Sequence, residues 1–285
     1  MVCLDSGALN YDQVWLTTSL RGVASGVLKV STVKEGLHSG VAGGVVPDSF
    51  RVARLLLNRV EDPVTGKVHV QSAYCEIPPE AQASLKALEA VPFKEQFAVH
   101  PGVQLASESN EELGKVNFWS PSLTVIGDNL PPVATAGNVI RTETEIKLSL
   151  RVAPTADPKA ALAEMKQLLE ADPPLGAHVT FTPSTTGAGC ATPPLKPWLS
   201  TALEAGSQQV YGQSFASQGL GGSIPFIAML IQTYPESQFI VTGVLGPQSN
   251  AHGPNEFLHV PYVKGLTLVV ARMIAAHQQH VSGSS

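Results

Sequence analysis

The stretch Gly243-Val244-Leu245-Gly246-Pro247-Gln248-Ser249-Asn250-Ala251-His252-Gly253-Pro254-Asn255-Glu256-Phe257 decides how the chain is read. An apolar, strand-like run, Gln238-Phe239-Ile240-Val241-Thr242, leads into it, and a long apolar helix pattern from Val260 to Gln279 follows. One imidazole, His252, is therefore set among turn-forming residues at the end of a buried strand, where open α/β sheets carry their sites. A neutral imidazole there is a candidate metal ligand. A histidine in a Gly/Pro turn is by itself more often a plain loop residue, so its partners elsewhere in the chain decide.

Working back towards the N-terminus, Ile224 to Thr233 reads as a helix opened by Gly221-Gly222-Ser223-Ile224-Pro225. Ser223 there is a helix cap, a seat for a substrate carboxylate together with Gly222, or both. Trp198 to Tyr211 is a further helix, so this half reads as α/β with its sites on loops. Before it, Ser184 to Gly189 and Pro193 to Pro197 read as linkers. The preceding part alternates differently. Gly26 to Val33 and Glu145 to Val152 have period two, with Ile146, Leu148, Leu150 and Val152 on one face and Arg151 on the polar face. A helix after Pro47 is expected to bury Val46, Phe50, Ala53, Leu57 and Val60. Asp157-Pro158 supplies a cap and first-turn proline for a helix to Glu170 with Leu162, Met165 and Leu169 inward. A strand from Ala177 to Thr182 completes a split βαβ sandwich, an antiparallel sheet with two helices on one face. Between the halves of that unit, residues 62–135 are broken by prolines and read as an insertion with one short helix at Pro79 to Ala90.

Composition sets the outer limits. A hydrophobic share of 44% with 14% charged residues describes a globular chain with ample core, and a net charge of −5 gives no footprint for nucleic acid. The apolar run Leu266 to Ala276 is interrupted by Arg272 and too short to span a bilayer, so no membrane partner is expected. Cys3, Cys75 and Cys190 are odd in number and far apart, which suggests a reducing compartment. The first residues lack a charged segment and a long apolar run, so no secretory signal is expected and the cytoplasm is the default location.

Four further candidates accompany His252. Asp5 follows the strand-like Val2-Cys3-Leu4, as a turn-former or, given partners, a metal ligand. His38 lies in Leu37-His38-Ser39-Gly40-Val41-Ala42-Gly43-Gly44, a plain strand-to-helix connection or an oxyanion-stabilising loop. Asn138 sits in Ala136-Gly137-Asn138-Val139-Ile140, just before the strand whose Arg151 is either solvated or a carboxylate clamp.

These segments, with Cys3-Leu4-Asp5, Thr17-Thr18-Ser19-Leu20-Arg21-Gly22 and Leu148-Ser149-Leu150-Arg151, occur in an order that resembles the carnosinase-like, dinuclear-zinc dipeptidases and their bacterial relatives. The resemblance implies an α+β / α/β architecture: a ferredoxin-like split βαβ lid, which makes a homodimer contact, inserted in a zinc-peptidase α/β domain. It divides the chain into residues 1–16 (catalytic remnant), 17–183 (lid, with the 62–135 insertion) and 184–285 (the C-terminal part of the catalytic domain). It also implies hydrolysis of a small peptide or acylated amino acid by two zinc ions, with manganese or cobalt as alternatives. Asp5 and His252 would each be a terminal metal ligand. His38 would stabilise the oxyanion, reaching into the partner subunit's site. Asn138, Arg151, Gly222 and Ser223 would hold the substrate. Two departures stand out. Leu220 occupies a position before the double glycine that is often acidic in the family. No His-x-Asp or Glu-Glu pair corresponds to the family's other ligands and general base. The expectation is a C-terminal portion that is inactive alone; the alternative is a non-catalytic dimerising or regulatory protein.

Overall fold

The computed structural model describes residues 1–283. In chain order its strands are β1 (Val2–Gly7), β2 (Trp15–Leu20), β3 (Gly22–Ser31), β4 (Leu37–His38), β5 (Ser122–Asp128), β6 (Val139–Ile140), β7 (Glu143–Val152), β8 (His178–Gly187), β9 (Cys190–Ala191), β10 (Ala216–Leu220) and β11 (Ile240–Leu245). Its α-helices are α1 (Ser39–Ala42), α2 (Ser49–Val60), α3 (Pro79–Ala87), α4 (Asn110–Trp119), α5 (Pro158–Glu170), α6 (Pro197–Tyr211), α7 (Pro225–Thr233) and α8 (Val260–Gly283). None of these helices is long and apolar enough to cross a membrane.

The alternating segments form a four-stranded sheet in the order β5–β7–β3–β8, every neighbouring pair antiparallel. Period two puts Ala24, Leu28 and Val30 of β3 and Ile146, Leu148, Leu150 and Val152 of β7 on one face, where they are buried against α2 and α5. Gly26 leaves a notch on that face, which the Phe181 ring fills: a Cβ at Gly26 would lie 2.2 Å from the ring. Helix α5 begins where Asp157-Pro158 foretells, the Asp157 carboxylate accepting the Lys159 amide at 2.8 Å. Asp157→Ala should therefore lower stability by about 1 kcal/mol in a denaturant melt; an unchanged midpoint would mean the cap is idle.

The inward stripe of α2 differs from the expected one. Val52, Ala53, Leu56 and Val60 are buried, whereas Phe50 is exposed, Leu57 half-buried and Val46 outside the helix. Asp48 caps the helix by accepting the Phe50 amide, and Ser49 turns inward to share a 2.8 Å hydrogen bond with Thr144. That phase rotates the apolar face by one residue. Strand β8 also runs further than expected, through Pro183 to Gly187 rather than ending at a linker. It lies at the sheet edge, where a missing amide is tolerated, and its register with β3 slips beside Pro183.

A second core gathers Trp15, Leu16, Leu199, Leu203, Tyr262, Leu266 and Val269, with α6 and α8 packed together. The 62–135 segment serves both cores. Val68, Val70 and Ala73 join the first, while Leu85, Leu88, Phe93, Phe118 and Trp119 join the second. It holds the anticipated helix α3 but also α4 and β5, which the sequence reading does not anticipate. The overlooked signal for α4 is Ser109 followed by Glu112: the Ser109 hydroxyl accepts the Glu112 amide at 3.2 Å. Strands β10 and β2 are parallel, β9 runs antiparallel to β2, and β11 pairs in parallel with β1. The Thr242 hydroxyl donates to the Trp15 carbonyl at 2.7 Å, joining β11 to β2. The chain crosses between the two sheets at Arg21 and at 188–189, backbone against backbone: a Cβ on Gly189 would meet the Gly22 nitrogen and the Leu20 carbonyl at 2.6 Å.

Candidate active site

Pairing of β1 with β11 matches Cys3 with Val241, Ser6 with Gly243 and Gly7 with Leu245. Asp5 thus sits at the carboxyl end of β1, beside the strand whose exit loop carries His252. Both residues are exposed. The loop is held in an unusual shape: Gln248, Asn250, His252 and Asn255 all have positive φ, between 54° and 63°. Left-handed non-glycine residues cost of order 1–3 kcal/mol each and persist where surrounding bonds over-determine them. Here the Phe257 amide donates to the Ser249 carbonyl at 3.1 Å, the Gly253 amide to Asn250 at 2.9 Å, and the His252 amide to the Glu256 carboxylate at 3.3 Å. Tyr11 ties the two ends of the loop. Its hydroxyl donates to the Pro247 carbonyl at 3.2 Å, and its ring stacks on His259 at 4.1 Å. Neither Tyr11 nor His259 is announced by any short motif; only tertiary contact reveals them.

Asp5 and His252 supply one oxygen and one nitrogen donor. Among the described residues there is no group of three or more His, Cys, Asp or Glu side chains placed to hold a metal ion. A catalytic zinc ion takes three protein ligands, so these residues do not make a metal site by themselves.

A second group forms where β4 pairs antiparallel with β6, matching His38 with Val139. The Ser39 amide donates to the Asn138 carbonyl at 2.9 Å, so two residues a hundred positions apart become neighbours. The His38 Nδ1 accepts the Gly40 amide at 3.1 Å, which in the neutral ring leaves the proton on Nε2. Both His38 and Asn138 are exposed, among the exposed Val41, Val45 and Val139.

The third group is polar and cationic. Arg151 Nη1 donates to the Ser223 hydroxyl at 2.9 Å, and that hydroxyl donates to the Arg21 carbonyl at 2.6 Å. Ser223 is not a helix cap: α7 starts at Pro225 with Ile224 in the cap position, and the serine faces the arginines instead. Arg21, within Thr17-Thr18-Ser19-Leu20-Arg21-Gly22, carries no local signal of such a role. It is buried, and burial first, then the charge of Arg151, lowers its pKa to about 10. Leu220, at the position often acidic in the family, packs against the small apolar cluster of Leu20, Ile227 and Val241. Cys190 is buried in the same cluster, which pushes its thiol up to about 11. Among the described residues, no hydrogen bond or ion pair links Asp5 and the His252 loop, the His38–Asn138 pair and the Arg151–Ser223 pair to one another.

No protein-family model matches the chain. It is similar to the cysteinylglycine-S-conjugate dipeptidase of Corynebacterium striatum, 26% identical over 263 residues, which is 92% of this chain and 56% of that protein. Among solved structures, the dipeptidase Dug1p of Saccharomyces cerevisiae superposes with a TM-score of 0.79 at 20% identity, covering 98% of this chain and 59% of its own. Human carnosine dipeptidase 1 superposes with a TM-score of 0.75 at 19% identity, covering 97% of this chain and 60% of its own. The M20-family metallo-carboxypeptidase Sso-CP2 of Sulfolobus solfataricus superposes with a TM-score of 0.75 at 16% identity, covering 94% of this chain and 61% of its own. The mixed α/β arrangement of several sheets resembles the fold of these solved structures. The chain spans only 56–61% of the length of these relatives.

Proposed function

We propose that the chain belongs to a metal-dependent dipeptidase of the M20 type and carries its substrate-holding groups together with part of its metal site. The observation that carries this reading is the placement of Asp5 and the strained His252 loop on adjacent parallel strand ends. Asp5 and His252 would each be a terminal ligand, one per zinc, with manganese or cobalt as alternatives. Bound metal would polarise the scissile carbonyl. The remaining ligands and the general base would come from polypeptide other than this chain, which spans 56–61% of the length of these relatives. Arg151, Ser223 and Gly222 would bind the carboxylate of a small peptide, Asn138 its backbone, and the Nε2 proton of His38 would face the developing oxyanion.

The four-stranded unit would be the ferredoxin-like lid and the homodimer contact. Its edge strand β5 exposes Val125 and Ile126, which supports association of two copies. The same exposure favours the second reading, a dimerising or regulatory protein without catalysis. Zinc stoichiometry after dialysis, dipeptide hydrolysis and sedimentation, all on the purified chain, separate these. The expected result is loose zinc, no turnover and a dimer. Two tightly held zinc ions with robust turnover would overturn the inactivity of the chain alone, and a strict monomer would count against both uses of the lid.

A further inference from the structure

We infer that Arg21 is a positioning residue for the carboxylate subsite: its side chain locks the glycine loop at Gly221 and adds a second cation there, while its carbonyl orients Ser223 towards Arg151. This rests on the dipeptidase reading for the identity of the anion, but not for the geometry. Arg21 occupies the crossing between β2 and β3, so it touches both sheets. Its Nε donates to the Gly221 carbonyl at 3.0 Å, and its Nη1 to the Ser120 carbonyl at 3.0 Å and the Ser122 hydroxyl at 3.1 Å. A rigid, planar fork thereby fastens the glycine loop, the end of α4 and the start of β5 to one point. Its main chain does further work, accepting the Ser223 hydroxyl proton and so turning that oxygen's lone pairs towards Arg151.

The electrostatics point to more than a brace. Among the described residues Arg21 is the one ionised side chain that is buried, and all three of its acceptors are neutral. The ion pairs among the described residues are all made by lysines, so neither Arg21 nor Arg151 has a carboxylate partner. Burying a cation without a counter-charge, near a second cation, is costly. The Arg151 guanidinium on the Ser223 hydroxyl, with the buried Arg21 cation bonded to neighbouring Gly221, suits a place whose negative charge arrives with a ligand.

The test uses the whole chain, its Arg21→Gln and Arg21→Lys variants, and two probes: alanylalanine and its C-terminal amide. Binding is read from the Nε–H signal of Arg151 in arginine-labelled protein. Mobility of residues 219–223 is read by amide hydrogen exchange. The dipeptide, and not the amide, should move the Arg151 signal. Arg21→Gln should weaken that binding about ten-fold, the scale of one charge-assisted hydrogen bond. Arg21→Lys should recover part of the affinity by restoring charge, while exchange at 219–223 stays fast because the fork is gone. Wild-type affinity and wild-type exchange in both variants would overturn the proposal. Fast exchange with unchanged affinity would reduce Arg21 to a brace and overturn the subsite role. If the parent chain binds neither probe, the dipeptidase reading and the subsite role fail together, and exchange still decides whether Arg21 holds the loop. If Arg21→Gln does not fold, Arg21→Lys carries both readouts.

Discussion

Replacing Gly243 with alanine is expected to lower stability by about 3 kcal/mol, the upper end for overpacking a closed site. A Cβ there would lie 1.7 Å from the Ser6 carbonyl oxygen and 2.4 Å from its carbon. Both are backbone atoms in the β1–β11 pairing, so no side-chain rotation relieves the clash; the strands must separate. That separation would also carry Asp5 away from the loop that bears His252. The effect is measurable twice, as a lowered denaturant midpoint and as loss of exchange protection at the Ala8 amide, which donates to the Leu245 carbonyl at 2.8 Å. An alanine variant with parent stability and a protected Ala8 amide would refute the close approach of the two strands.

Phe181→Ala is expected to cost about 3–5 kcal/mol, the range for emptying a buried aromatic site. The ring is fully buried and occupies the notch over Gly26, and nothing nearby collapses easily: Leu28, Met165 and Leu169 are buried around the same core. The chain offers a way to see where the damage lies. Trp15 and Trp119 belong to the second core and Trp198 packs against it, so all three tryptophans report on that part. Amide exchange in β3, β7 and β8 reports on the first. Protection there should fall well before tryptophan fluorescence responds to denaturant. A destabilisation below about 1 kcal/mol would show that the ring is not the keystone of the four-stranded sheet.

Both effects come from close packing that sequence patterns do not display, and the candidate site divides in the same way. His252 in a turn after an apolar strand, Arg151 on a polar strand face and the glycine loop before a helix were each legible as local features. Ser223 illustrates the limit. Its spacing before a helix suggested a cap, yet the helix begins after Ile224 and the serine is claimed by two arginines from other segments. The α2 stripe shows the same limit at smaller scale. Its periodicity was visible, but the phase depended on Asp48 as the cap and on Ser49 finding Thr144 across the core. Helix α4 is hard to read for a different reason: its Ser109–Glu112 cap is present, but its apolar periodicity is weak.

By itself the sequence determined what neighbouring residues dictate to one another: the alternation of β3 and β7, the proline-started α5, the strand–loop–helix that carries His252, and the order of motifs that resembles zinc dipeptidases. Only the tertiary structure decided which strand ends lie side by side, that His38 meets Asn138, and that Arg21 is buried between two sheets. The physical reason is range. Period and capping act over a few residues, whereas β1–β11 pairing joins segments more than two hundred residues apart. Such contacts form by burying surface that no local pattern specifies.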